Sequence, residues 1–121
     1  MTFSAGSKWD FGPVTNVTVA AQTLTEADSG TTYRINVADT VFTLPSTKAG
    51  IWYAFVVDTL SATTGCSLDP AAADNINGGT DNKDLINTAA TDVVGDSVIL
   101  VADGDEGWLT VSMHGIWAAE A

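Results

Sequence analysis

The sequence predicts an all-β protein: a single-domain antiparallel β-sandwich or small barrel of the jelly-roll type. Residues 31–37 alternate apolar and polar side chains, with Tyr33, Ile35 and Val37 on one side, which is the period of a half-buried strand. Residues 51–57 form an unbroken apolar run, typical of a central strand that is covered on both faces. Turn-forming residues recur at intervals of about 8–12 residues, and no helical stretch separates the strands.

The other elements follow in order along the chain. Alternating residues predict strands at 17–21 and 109–113, and short β-rich stretches predict strands at 41–44, 66–68 and 97–102, with a last short strand near Trp117. Residues 103–107 read as a hairpin loop between two of these strands. Residues 71–94 have a weaker pattern, and residues 82–90 fit either a short helix or an irregular loop. The total is roughly eight strands, as a sandwich or small barrel requires.

The chain divides into an N-terminal arm, residues 1–13, and a β-domain, residues 14–121. Glycine, serine and Pro13 punctuate the arm, as is typical of a loop. The arm also carries Phe3, Trp9 and Phe11, whose rings need a surface to bury against. That surface is either the flank of the same domain or a neighbouring molecule, and the sequence leaves both open.

Composition excludes several classes of function. Fifteen acidic residues against four basic ones give a net charge of −11, which a phosphate backbone would repel, so nucleic-acid binding is not expected. No apolar run approaches the ~20 residues of a membrane helix, and the first ten residues do not resemble a signal peptide. We therefore expect a protein that is made in a cytoplasm and has no membrane partner. Its single cysteine excludes an intramolecular disulfide.

Candidate catalytic residues are few. His114 is the only histidine, and no Gly-x-Ser-x-Gly motif accompanies it. Cys66 lies on a predicted strand, where a small buried side chain is the natural interpretation. Any pair among fifteen carboxylates is uninformative about glycosidase chemistry. The sequence thus predicts no enzyme and no cofactor.

Two acidic loops are the candidate metal sites. Residues 74–84 are rich in oxygen ligands, but Ile76 interrupts the EF-hand spacing, and Asp81 and Lys83 interrupt the glycine-rich repeat of calcium-binding β-helices. Asp103, Asp105 and Glu106 crowd a second loop, although hairpin loops are often acidic. We predict that neither loop holds a specific metal.

Three tryptophans outside the apolar run, Trp9, Trp108 and Trp117, are candidates for stacking on sugars if their rings are exposed. The competing interpretation is that indoles near strand ends close the end of a sandwich or fill a subunit contact. The sequence favours this second interpretation.

Several short motifs resemble the small β-modules found in structural proteins of tailed phages. They are Leu24-Thr25, Asp28-Ser29-Gly30, Thr43-Leu44-Pro45, Ala49-Gly50 and Tyr53-x-Phe55, followed near the C-terminus by Asp103-Gly104, Gly107-Trp108 and Gly115-x-Trp117. The resemblance covers residues 22–118 and consists of turns and core positions, with no active site. Such modules occur as capsid decoration (cement) proteins and as parts of tail fibres.

A single module with a short arm is more similar to a decoration protein than to a piece of a fibre. The resemblance implies a non-enzymatic virion protein that binds the major capsid protein on the outer capsid surface, as a homo-oligomer and preferably a trimer on a three-fold site. Phe3, Trp9, Phe11 and Trp117 are the predicted contact residues. The alternative is a tail-fibre or receptor-recognition module that binds host glycans through an exposed Trp108 or Trp117. A glycan-cleaving enzyme ranks third, since no particular acid pair or metal motif is present.

Overall fold

The computed structural model describes residues 12–121. The predicted contact residues Phe3, Trp9 and Phe11 lie outside the described residues. At the start of the domain, the carbonyl oxygen of Pro13 accepts a hydrogen bond of 3.0 Å from the Thr32 N–H.

Eleven strands and one 3₁₀ turn, at Glu26–Asp28, make up the regular structure of residues 12–121. The strands are β1 (Val14–Val17), β2 (Ala21–Thr23), β3 (Thr31–Ile35), β4 (Val41–Thr43), β5 (Trp52–Val57), β6 (Gly65–Asp69), β7 (Asn75–Ile76), β8 (Leu85–Thr88), β9 (Ser97–Ala102), β10 (Gly107–His114) and β11 (Ala118–Ala119). They form a six-stranded sheet in the order β1-β3-β5-β9-β10-β7 and a five-stranded sheet in the order β11-β8-β6-β4-β2. The two sheets pack together, which confirms the predicted all-β fold class.

The strand directions differ from the prediction. Both sheets are mixed, because five of the nine strand pairs are parallel and four are antiparallel. Four of the five parallel pairs arise because successive strands from β1 to β6 alternate between the sheets, so that each strand lies beside the strand two before it, and the fifth joins β7 to β10. The prediction of an antiparallel sandwich is therefore wrong for this part of the chain. Parallel neighbours need a crossover connection, and here the crossover is the strand in the opposite sheet.

The alternating pattern places the core as expected. Tyr33 and Ile35 are buried while Arg34 between them is exposed, and β5 lies between β3 and β9 inside its sheet. The predicted central strand at residues 51–57 is thus confirmed. The expected cover on both faces is incomplete, because Trp52 lies on the outer face of β5 and is only half-buried.

Residues 82–90 form neither a helix nor an irregular loop. They contain β8, an interior strand that pairs with β6 on one side and β11 on the other. The burial of β8 alternates, with Leu85 and Asn87 turned inward. The pattern of apolar and polar residues is weak here because Asn87, a polar residue, occupies a buried position of the strand.

Aromatic rings form the centre of the core. Tyr33, Phe42 and Phe55 surround one point, with ring centroids 4.8–5.7 Å apart, and Tyr53 connects this group to Trp108 at 5.7 Å. The Tyr53 hydroxyl donates to the carbonyl of Thr25, so the buried phenol keeps a partner. Since the rings come from β3, β4, β5 and β10, the core joins both sheets and both halves of the chain.

Candidate functional site

Of the predicted contact residues, only Trp117 lies among the described residues. It is 8% exposed and belongs to the hydrophobic core, and its Nε1 donates to the His114 carbonyl at 3.0 Å. The indole therefore closes one end of the sandwich. An energetically important contact with a partner would require a ring that the folded chain leaves accessible, and Trp117 offers little of its surface.

The glycan alternative depends on an exposed Trp108 or Trp117. Trp108 is 1% exposed and packs against Tyr53. Stacking on a sugar requires a free ring face. Neither of the two indoles provides one, so the feature on which that alternative rests is not found at these positions.

Acidic side chains in the loops mostly bind the backbone of the same molecule. The Asp39 carboxylate accepts hydrogen bonds from four successive amides: Ala62 at 3.4 Å, Thr63 at 3.2 Å, Thr64 at 2.8 Å and Gly65 at 2.9 Å. These bonds, that from Gly65 first, hold the pKa of Asp39 below its usual range. The loop between β5 and β6 is thereby fixed to the turn that precedes β4.

The 103–107 loop shows the same arrangement. Asp103 Oδ1 accepts hydrogen bonds from the amides of Asp105, Glu106 and Gly107 at 2.8–3.0 Å. These donors, with Gly107 first, lower the pKa of Asp103. This carboxylate thus holds a tight turn between β9 and β10, which confirms the predicted hairpin loop.

The structure brings the two acidic loops together, although the sequence presents them as separate features. Asn75, Asp81, Asp105 and Glu106 line an open polar cleft of about 380 Å³ with Ala73 and Gly78. Asp74 itself is buried and accepts the Thr47 N–H at 2.9 Å, so it points away from a ligand. Within residues 12–121, no group of three His, Cys, Asp or Glu side chains is arranged to hold a metal ion.

A third carboxylate group lies where β8 begins. Leu85 of β8 pairs with Leu68 of β6, and Asp84 lies one position beyond this pair, opposite Asp69. The two carboxyl groups share a hydrogen bond. Burial, then the charge of Asp69 and that of Glu120, raise the pKa of Asp84 from 3.8 to about 7. The Asp84 N–H also donates to the Glu120 side chain at 3.2 Å, and the Glu120 N–H to the Asp84 carbonyl at 2.8 Å. This group connects the C-terminus to β8.

A buried polar pair, Asn87 and Asp96, is not predicted from the sequence. Asn87 and Asp96 are 1% and 2% exposed, and the Asn87 Nδ2 donates to Asp96 Oδ2 at 3.0 Å. Asp96 also accepts the Val93 N–H at 3.0 Å, and Asn87 Nδ2 donates to the Ile116 carbonyl at 3.2 Å. The pair joins β8, the loop before β9 and the segment before β11. Only the interruption of the apolar pattern at residue 87 signals it in the sequence.

The two candidate nucleophile and base residues lie in different settings. Cys66 is buried on β6, and burial raises the pKa of its thiol to about 12, so the thiolate is not formed near neutral pH. His114 ends β10 and is exposed. Neither residue has a described partner that would activate it.

No helix in residues 12–121 is long and apolar enough to cross a membrane. Comparison of the chain with known protein-family models finds no match, and comparison with curated proteins finds no significant similarity.

Proposed function

We propose that this chain is a structural, non-enzymatic component of a tailed-phage virion, a decoration protein that binds the outer capsid surface. Its partner is the major capsid protein, and it stabilises contacts between coat subunits. The observation that carries the proposal is the hydrogen bonding of the acidic loops. The carboxylates of Asp39, Asp103 and Asp74 accept hydrogen bonds from backbone amides of their own domain. Such loops build a rigid body rather than a reaction centre.

The sequence resemblance and the charge support the same function. The motifs similar to phage β-modules fall at turns and core positions, among them Tyr53 and Phe55 of β5. A net charge of −11 favours a place outside the shell, away from packaged DNA. As a homo-oligomer, the protein would fit a symmetry axis of the lattice, and a trimer fits a three-fold site.

The arm supplies the anchors in this proposal. Phe3, Trp9 and Phe11 are large rings in a segment with few charged residues, and large rings at the centre of an interface carry much of the binding energy. Trp117 is left out of the contact set because it is buried in the domain.

Binding to purified capsids tests the proposal. A decoration protein gains its energy from surfaces that only the assembled lattice offers, so we expect binding to mature capsids and little binding to free coat subunits. A variant with Phe3, Trp9 and Phe11 all changed to Ala should remain folded and bind capsids at least tenfold more weakly, a loss of about 1.4 kcal/mol. Leu60→Ala, which changes an exposed apolar residue of the domain, is the matched control and should bind normally. Equal binding to free subunits and capsids, or no binding to either, would overturn the proposal.

A further inference from the structure

The strands at the two ends of the sandwich, where the sheets have their outermost strands, run in matching directions. The N-terminal end consists of β1 and β2, the outermost strands of the two sheets, and the C-terminal end consists of β10 and β11. β1 pairs only with β3, and β2 only with β4. At the other end, β11 pairs only with β8, and β7 covers β10 only at Gly107 and Trp108.

The open part of β10 begins after Thr110. The Asn77 side chain accepts the Thr110 N–H at 2.9 Å and donates to the Thr110 hydroxyl at 2.9 Å, and so completes the cover by β7. Beyond this point the strand bulges at Val111, and no described strand pairs with its outer side as far as His114. Residues 111–114 thus present a free edge as long as the four-residue strand β1.

Strand direction is the same at both ends, in both sheets. β5 and β9 are antiparallel, as are β9 and β10, so β10 runs parallel to β5, β3 and β1. In the other sheet, β8 is antiparallel to both β6 and β11, so β11 runs parallel to β6, β4 and β2. The last two strands of the chain therefore have the direction that the first two strands need in a parallel neighbour.

The connections also agree. Residues 18–20 join β1 to β2 across the two sheets, and residues 115–117 join β10 to β11 in the same way. Both connections have three residues. The β10–β11 unit is thus equivalent in layout to one turn of the spiral formed by β1 to β6, and stacking one turn on the next is how such spirals extend.

Neither end carries charged residues or proline in its strands, which are two of the features that prevent edge pairing. Strands β1, β2, β10 and β11 contain no Asp, Glu, Lys, Arg or Pro, in a chain whose net charge is −11. Val14 and Val19 are 66% and 59% exposed at one end. Leu109, Val111, Met113 and Ile116 are 43–60% exposed at the other. Contact between the acidic loops of two copies would oppose carboxylates, whereas contact between these ends opposes apolar side chains.

We propose that the N-terminal end of one copy binds the C-terminal end of a second copy, with β1 adding in parallel to residues 111–114 and β2 approaching β11. Because the ends lie at opposite edges of the sheets, two copies cannot satisfy both ends at once. The contact therefore builds a ring of at least three copies or, where the rotation does not close, a filament.

Charged substitutions at each end test the contact in the purified protein, independently of capsid binding. Analytical ultracentrifugation should show oligomers for the unchanged chain and monomers for Val14→Lys and for Val111→Lys. An equimolar mixture of the two variants should form a dimer, since each variant keeps one intact end and these two ends are complementary. Leu60→Lys, a change at an exposed apolar residue away from both ends, should leave the oligomer intact.

Three outcomes would overturn the proposal. One is an unchanged chain that stays monomeric at its highest soluble concentration. Another is a Val14→Lys variant that still forms oligomers while Val111→Lys does not, which indicates a two-fold contact between C-terminal ends. The last is a mixture that remains monomeric. If Val111→Lys fails to fold, as seen by circular dichroism, Ile116→Lys serves as the variant at the same end.

Discussion

The chain builds its two halves by different rules. In the coil region, residues 14–69, each new strand enters the opposite sheet and pairs in parallel with the strand two before it. In the return region, residues 75–119, β8 and β9 reverse direction against β6 and β5, and β10 follows β9 through a hairpin. The two halves nevertheless share one core, since Trp108 of the return region packs on Tyr53 of the coil region.

The difference between the two regions shows that the same turn-forming residues serve two kinds of connection. Gly30 and Gly50, with φ of 89° and 88°, and Asp39, with φ of 57°, precede strands of the coil region. These residues turn the chain at a corner between sheets, whereas Asp103 and its neighbours turn it back along the same sheet. Both uses need a left-handed or tightly bonded residue, so the composition of the turn does not distinguish them.

The largest expected effect comes from the shared core. Phe55→Ala removes a fully buried ring that touches Tyr33 and Phe42, and we expect a loss of about 3–5 kcal/mol in the free energy of unfolding. Thr32→Ala, on the outer face of the neighbouring strand, should be near neutral. Chemical denaturation measures both. A loss below about 1 kcal/mol for Phe55→Ala would contradict the central position of this ring in the core.

The sequence predicted what depends on burial and missed what depends on pairing partners. Alternation at Tyr33 and Ile35 marks the buried face of a strand regardless of strand direction, so the fold class and the core were predictable. The parallel pairs were not, because a period of two is the same in parallel and antiparallel strands. The sequence left open whether Trp117 closes the sandwich or contacts a partner, because its burial depends on a neighbouring sheet. The joining of the loops at Asn75 and Glu106 depends on the β7–β10 pair, which no local pattern indicates.

The seam between the two regions should be more sensitive than a corner within one. Gly65 begins β6 with φ of 117°, and a Cβ there would lie 2.1 Å from the Asn87 carbonyl oxygen of β8. Gly65→Ala should therefore cost about 3 kcal/mol or more, because it combines backbone strain with separation of β6 from β8. Gly50→Ala is the matched control: its φ is also positive, but no atom lies within 4 Å, so only the strain of about 1–2 kcal/mol applies. Equal losses in urea denaturation would contradict the tight seam.

Stability should also depend on pH at this seam. The pKa of Asp84 is about 7 in the folded chain against 3.8 ordinarily, so the folded state binds the proton more tightly than the unfolded state. Its contribution is fully present below pH 3.8 and is lost as the pH rises through about 7. Asp84→Asn should make the protein more stable than the unchanged chain at pH 8 and flatten this part of the pH dependence. Asp81→Asn removes the same charge from the cleft and controls for general repulsion. Equal slopes for the two variants in urea titrations at pH 5 and pH 8 would refute the role of Asp84.

The smallest expected effect concerns the cleft of the return region. Asp103 is bonded to three amides and Asp74 to Thr47, so we expect EDTA to leave the melting temperature unchanged. Differential scanning calorimetry with EDTA, and then with added Ca²⁺, measures this. A fall of several degrees that Ca²⁺ reverses would identify a metal site at Asp81, Asp105 and Glu106 through binding linkage.

The most direct test of the proposed function is the place and copy number of the chain in the particle. Electron cryo-microscopy of purified virions, with quantitative mass spectrometry of the same sample, gives both. If the chain is a capsid decoration protein, density for the two-sheet domain should be repeated over the outer shell, with hundreds of copies per particle. Density confined to the tail, a few copies per particle, or absence of the chain from the virion would contradict the account.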